Sequence, residues 1–161
     1  MDKHPAPLVQ TPRLTLRELG PGDTDLIVSW RSEPSVYRYF LSPHPLTAAE
    51  HNSWYTQRYL HNPDRYDWIA VAGSLPVGVF GLIRQGNVAE VNYLLAPDAQ
   101  HQGYAAEAVT ALLDWARCNW HVQYALAEIH RENHPSLHFA ASLGFELTGE
   151  RGDFLLYRRA L

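Results

Sequence analysis

Three strand-like runs follow one another between Trp68 and Leu95 with little chain left for connections. They are Trp68 to Ala72, Val77 to Ile83 and Ala89 to Leu95. The links, Gly73-Ser74-Leu75-Pro76 and Gln85-Gly86-Asn87, are short and turn-rich, which predicts an antiparallel meander. A helical pattern then runs from about Tyr104 to Cys118. Ala105, Ala108, Val109, Leu112 and Ala116 fall on one face, whereas Glu107, Thr110, Asp114 and Arg117 fall elsewhere.

The flanking segments have weaker signals. Residues 1–12, with Pro5, Pro7 and Pro12, read as a loose lead-in. Arg13 to Leu19 sets Leu14, Leu16 and Leu19 against charged residues and predicts a first strand. Gly20-Pro21-Gly22-Asp23 predicts a turn, with Asp23 as N-cap of a helix holding Leu26, Ile27 and Trp30. Thr47-x-x-Glu50 has capping-box spacing, in which each side chain satisfies the other's free backbone N–H. That second helix is expected to reach about Leu60, before Asn62-Pro63 stops it. Downstream, Tyr124 to His130 predicts a strand. Asn133 caps a short helix with Pro135 in its first turn, and Gly144 supplies the left-handed residue that ends it. Glu146–Arg151 and Phe154–Arg159 predict two closing strands. The whole reads as mixed α and β around one twisted sheet.

At 161 residues the chain suits one domain, residues 1–161. The net charge is -4 and no run of Lys and Arg occurs, which disfavours a nucleic-acid partner. The single cysteine, Cys118, has no internal disulfide partner and suits a reducing compartment. Met1-Asp2-Lys3-His4-Pro5 lacks a signal-peptide core, and no segment has the ~20 apolar residues of a membrane span. A cytoplasmic location without membrane association is therefore expected.

The stretch from Tyr93 to Ala105 carries the most chemical information. A strand ends, a turn follows, and a helix opens at Gly103 with a small residue two places on. Several backbone N–H groups and the positive end of a helix dipole then converge, forming a receptor suited to a pyrophosphate. Many strand–helix turns contain glycine and bind nothing, so this signal alone is weak.

In this chain Gln100-x-x-Gly103-x-Ala105 resembles the coenzyme A signature of the GNAT acetyltransferases, and the element order is similar along nearly the whole chain. Three further segments resemble the RimJ/RimL-like branch, which acetylates ribosomal proteins, other N-terminal amines and related small amines. They are Thr11-Pro12-Arg13-Leu14-Thr15-Leu16-Arg17-Glu18-Leu19, Glu90-Val91-Asn92-Tyr93 with the following Pro97, and Asn133-x-x-Ser136 leading to Leu143-Gly144-Phe145. The implied fold is a single GNAT-like α/β domain with a central twisted, mostly antiparallel sheet flanked by helices. The implied reaction moves an acetyl group from acetyl-CoA directly to a primary amine, with no covalent enzyme intermediate.

The resemblance also implies roles. Tyr93, Leu94 and Leu95 would form a strand that splays from its neighbour and offers main-chain groups to the pantetheine and thioester, one N–H acting as oxyanion donor. Gln100, His101, Gln102, Gly103, Tyr104 and Ala105 would bind the pyrophosphate, and Asn133 the pantetheine arm. Glu90 is the candidate general base, directly or through water, since an amine must be neutral to attack. Its alternative is a solvated strand residue. Where many GNAT enzymes place a proton-donating Tyr, four residues before the Gly of Leu-Gly-Phe, this chain has Ala140. Ser136 is the substitute candidate. Gln100-His101-Gln102 also lacks the Arg or Lys that family members often carry there.

His130, His134 and His138 are spaced four apart, but Pro135 starts a helix between them and no Cys pair or His-Glu-x-x-His supports a metal site. No metal is expected. Most aromatics of the first half are expected in the core. By resemblance, the helical segment between the first two strands walls the acceptor pocket, which makes Arg31, Tyr37, Tyr39, His51 and Trp54 candidate acceptor contacts. The acceptor classes are a protein N-terminus, a small amine or an amino sugar; a homodimer is left open. The alternative function is a non-catalytic coenzyme A-binding or regulatory domain, which Ala140 and the cation-poor loop keep in play.

Overall fold

The computed structural model describes residues 3–161. Its centre is one eight-stranded sheet in the order β1-β2-β3-β4-β5-β6-β8-β7. The strands are β1 (Val9–Gln10), β2 (Thr15–Glu18), β3 (Arg65–Ala72), β4 (Leu75–Gln85), β5 (Val88–Leu95), β6 (Tyr124–His130), β7 (Glu146–Arg151) and β8 (Phe154–Ala160). The helices are α1 (Thr24–Arg31), α2 (Pro34–Tyr37), α3 (Ala48–Gln57), α4 (Tyr104–Trp120) and α5 (His134–Ser142). All neighbouring strands are antiparallel except β5 and β6. The expected meander is β3-β4-β5.

The two faces of the sheet bury different clusters because side chains alternate along each strand. On one face, Trp68, Phe80, Leu82 and Val91 pack against Ala108, Val109, Leu112 and Ala116 of α4. On the other, Leu19 and Ile69 pack with Ile27 and Trp30 of α1, and Trp54 of α3 covers them. Leu112 is fully buried, a burial that contributes about 2 kcal/mol. Among the described residues, no helix is long and apolar enough to cross a membrane.

Several local expectations are corrected. The lead-in is not wholly loose, since Val9 and Gln10 pair with Leu16 and Thr15. Strand β3 begins at Arg65, three residues before the apolar run, because Arg65 and Asp67 share a sheet face and pair with each other. Asp23 does not cap α1 through its side chain. Its carboxylate accepts from the Gly20 N–H at 2.8 Å and from both terminal nitrogens of Arg17 at 2.9 Å. Only half of the Thr47 capping box forms: Thr47 Oγ1 accepts from the Glu50 N–H, but it donates to Glu50 Oε1 in place of a backbone exchange. The helix itself ends at Gln57, and a 3₁₀ turn over Tyr59–His61 completes the segment.

Candidate active site

Strands β5 and β6 pair over only three positions, Val88 with Tyr124, Ala89 with Ala125 and Glu90 with Leu126. Beyond Glu90 they diverge, while β5 stays paired with β4 through to Leu95. One edge of Val91–Leu95 is therefore left without a strand partner, and unpaired main-chain donors and acceptors demand one. The opening lies at the heart of a cleft of about 1160 Å³ that runs from the start of α4 to α1 and α3.

At one end lies the turn before α4. The first backbone bond of that helix runs from the Glu107 N–H to the Gly103 carbonyl at 3.2 Å. Among the described residues, the N–H groups from Gly103 to Ala106 thus have no backbone acceptor. His101 (φ 63) and Gly103 (φ 79) both sit in the left-handed region, which curls successive N–H groups toward one concavity. Gln100, His101, Gly103 and Ala105 line the cleft. The side chains of Gln102 and Tyr104 do not: Gln102 Nε2 donates to the Asp98 carbonyl, and the Tyr104 ring lies 4.7 Å from the Arg13 guanidinium. Arg13 also donates through Nη1 to the Gln102 carbonyl at 2.8 Å and reaches Gly103, where an added Cβ would meet its Nη2 at 3.2 Å. A cation absent from the loop's own sequence is thus brought beside it from the first strand region.

Midway, Tyr93, Leu94 and Leu95 line the cleft opposite α5, which contributes Asn133, Ser136 and Ala140. The Asn133 side-chain carbonyl caps α5 by accepting from the Ser136 N–H at 3.4 Å. Tyr93 is stacked on Phe80 (5.5 Å) and edge-on to Phe139 (5.2 Å). Burial pushes its phenol up to about 12, against a small opposing effect of the Ser136 side chain.

The far end is polar and charged. Asp67, Gly81 and Asn92 form one cross-strand row, with Arg65, Ile83 and Glu90 in a parallel row on the same face. A Cβ at Gly81 would overlap Asp67 Oδ1 and come within 2.7 Å of Asn92 Oδ1, so glycine opens this floor. Arg65 donates to both oxygens of Asp67 at 2.9 and 3.4 Å. Glu90 lines the cleft, and burial, reinforced by Glu128, raises its pKa above the usual carboxylate value. Arg31, Tyr39, His51 and Trp54 also line it, whereas Tyr37 does not. Tyr37 ends the four-residue α2 and alone between Ser35 and Leu41 points away from the cleft. Burial, with Arg31 nearby, lowers the His51 pKa, which keeps its ring neutral near pH 7.

Arg13, Arg65, Asp67, Asn92 and Glu128 were not singled out from the sequence. The alternation of Arg65, Asp67 and Ile69 against Tyr66, Trp68 and Ala70 is the signal that would have placed two of them on one face. Among the described residues, no cluster of three or more His, Cys, Asp or Glu is placed to hold a metal ion.

The chain is 28% identical over 152 residues to an uncharacterized N-acetyltransferase p20 of Bacillus licheniformis, covering 89% of this chain and 85% of that protein. Its fold is similar to that of a spermidine N-acetyltransferase of Vibrio cholerae solved with CoA and spermine, at TM-score 0.83 and 20% identity, over 93% of this chain and 96% of that one. It is also similar to the ribosomal alpha-N-protein acetyltransferase RimL in complex with coenzyme A, at TM-score 0.78 and 16% identity, over 96% and 98% of the two chains. Residues 13–146 match the acetyltransferase (GNAT) domain family. The chain belongs to that family, and is an acetyltransferase with a mixed α/β fold built on a single, mostly antiparallel sheet.

Proposed function

We propose that this protein transfers the acetyl group of acetyl-CoA directly to a primary amine. The observation that carries the reading is the loss of β5–β6 pairing immediately after Glu90, which joins the Gln100–Ala105 turn to a carboxylate in one continuous cleft. An extended pantetheine arm would take the place of the missing strand and satisfy the exposed edge of Val91–Leu95. The pyrophosphate would accept from the free N–H groups at the start of α4, with Arg13 supplying nearby positive charge. Similarity to a CoA-bound polyamine acetyltransferase and to RimL is consistent with an amine acceptor.

Glu90 is suited to the general base, because its raised pKa brings it closer to the working pH and it faces the acceptor side. The amine proton passes to Glu90 or to an intervening water, the amine attacks the thioester carbonyl, and a main-chain N–H of β5 stabilises the oxyanion. The thiolate then leaves. With Ala140 at the position of the usual tyrosine, Tyr93 and Ser136 line the cleft and are the hydroxyls that would serve the departing sulfur. A phenol held to about 12 stays protonated and remains a donor throughout the neutral range.

The reading is tested by thermal unfolding with acetyl-CoA, desulfo-CoA and adenosine phosphates, followed by thiol release with an amine panel. Coenzyme at about 100 times its dissociation constant stabilises a native binder by about 2.7 kcal/mol. Absence of any shift at saturation would remove the acetyltransferase reading. A shift without thiol release on any amine would favour the non-catalytic coenzyme A-binding alternative.

A further inference from the structure

Resting on that reading, we infer that the acceptor is an amine that also carries an anionic oxygen group, a carboxylate or a phosphate, bound inside the cleft by Arg31. Arg31 is the last residue of α1 and lines the cleft. Among the described residues its Nε, closed off from solvent by the protein, has no hydrogen-bond partner, so an anion in the cleft would be held by the terminal guanidinium nitrogens, with the Nε–H reporting on the same head group. Native interiors rarely leave such a donor unmet, and an unmet donor on a charged group is the costlier kind.

Among the described residues, no carboxylate forms an ion pair with Arg31. Arg17, Arg65 and Arg84 each pair with a carboxylate, Asp23, Asp67 and Asp64 respectively. Asp67 is close enough to act on Arg31, but both of its oxygens already accept from Arg65. Glu50, on α3 at the edge of the cleft, is held by His44 at 3.1 Å and Thr47 at 2.9 Å. What Arg31 does touch is the Phe40 ring, 4.6 Å from its guanidinium, which holds the head in place without using its N–H groups. Burial and the like charge of Arg65 also disfavour the cation, which an incoming anion would relieve.

The remaining charges give the acceptor a direction. Glu90 and Glu128 interact with each other on the side where β5 and β6 diverge. Arg65 is near enough to act on both Glu90 and Arg31. An acceptor holding its ammonium toward Glu90 and its anion toward Arg31 matches both ends; Glu128 already lies 3.8 Å from the Arg151 guanidinium. A wholly cationic polyamine would instead meet an unpaired arginine.

The decisive experiment follows the Arg31 Nε–H resonance of the ¹⁵N-labelled full chain, identified with Arg31→Lys, as acetate or inorganic phosphate is titrated with and without desulfo-CoA. A saturable shift of that resonance is expected with at least one anion. Response to phosphate alone points to a phosphorylated amine, and response to acetate to an amino acid or similar carboxylate. No saturable shift with either anion overturns the inference. A second arm compares acceptors that differ only in the anion, phenylalanine with phenylalaninamide and glucosamine 6-phosphate with glucosamine. The anionic member of a pair is expected to have at least about tenfold higher kcat/KM, the value of one charge-assisted contact of about 1.4 kcal/mol. Arg31→Met is expected to abolish that preference while melting no lower than wild type. Equal rates within every reacting pair, preference for spermidine, or a preference that survives Arg31→Met would each overturn it. Failure of the acetyltransferase reading is separately visible as the absence of any thermal shift with acetyl-CoA.

Discussion

Arg13 and Glu107 stand 94 positions apart in the chain, yet Arg13 Nε donates to Glu107 Oε1 at 2.8 Å. Glu107 lies in the first turn of α4, where a negative charge meets the positive end of the helix. It also accepts from the Arg13 backbone N–H at 2.9 Å and from the Thr11 hydroxyl at 2.5 Å. The lead into β2 is thereby tied to the turn that opens the cleft.

Glu107→Gln is expected to destabilise the protein by about 1 kcal/mol, a small charge-assisted contribution because Arg13 is half exposed. Burial opposes ionisation of Glu107, but the bonds from Thr11 and Arg13 prevail and hold its pKa below 4.5. The folded state therefore binds that proton less readily than the unfolded state. The stabilisation is complete above pH 4.5 and fades as pH falls toward the folded pKa. Urea unfolding at pH 7 and pH 3 checks both points: the gap between wild type and variant should narrow at the lower pH. The KM for acetyl-CoA should rise as the turn loses its anchor.

Glu90→Gln is expected to lower kcat by about 10²- to 10⁴-fold while leaving acetyl-CoA binding unchanged. The Glu90 pKa is raised above 4.5 by burial and by Glu128. The folded state thus holds that proton more tightly than the unfolded state, and stability declines as pH rises from 4.5 through the folded value. At pH 7 the variant should melt no lower than wild type. The acid limb of the wild-type pH–rate profile should vanish with the carboxylate; an unchanged profile would assign the base elsewhere.

Tyr93→Phe separates the two hydroxyls proposed as proton donors, Tyr93 and Ser136. It keeps the stacking on Phe80 and the edge contact with Phe139 and removes only the O–H. A fall in kcat of about tenfold or more, with donor affinity retained, would mark a proton donor. If Ser136→Ala alone slows turnover, the serine holds that role.

Gly81→Ala would force a methyl group against Asp67 Oδ1 and Asn92 Oδ1. Overpacking of this kind costs about 1–3 kcal/mol. The acceptor KM should rise more than the acetyl-CoA KM, because the crowded floor lies on the acceptor side. Chemical denaturation together with two-substrate kinetics tests the pair of effects.

Much of this architecture was legible before any tertiary contact. The meander was written in the alternation of Trp68 to Leu95 and in its short turns, and α4 in the spacing of Ala105, Ala108, Val109, Leu112 and Ala116. Gln100-x-x-Gly103-x-Ala105 marked a turn whose left-handed Gly103 is set by its own backbone (φ 79). Asp23 is the N-cap residue of α1 as expected, but its carboxylate had two local uses, and the bidentate bond to Arg17 together with the Gly20 N–H prevailed over a side-chain cap bond. The short α2 left too little periodicity in four residues to be read at all.

The sequence by itself determined most of the element order and the starts of α3, α4 and α5, because period, caps and turn residues act over a few positions. It also singled out the Gln100–Ala105 turn and Glu90 as candidates for the proposed donor loop and base. Only the tertiary structure decided that β5 and β6 part after Glu90, that Arg13 comes beside a loop without a cation, and that Arg31 lines the cleft with, among the described residues, no carboxylate paired to it. Those facts depend on strand register and on charges meeting across long loops. Neither leaves a mark in the spacing of neighbouring residues, since a carboxylate is equally ready to pair with any arginine until packing removes the alternatives.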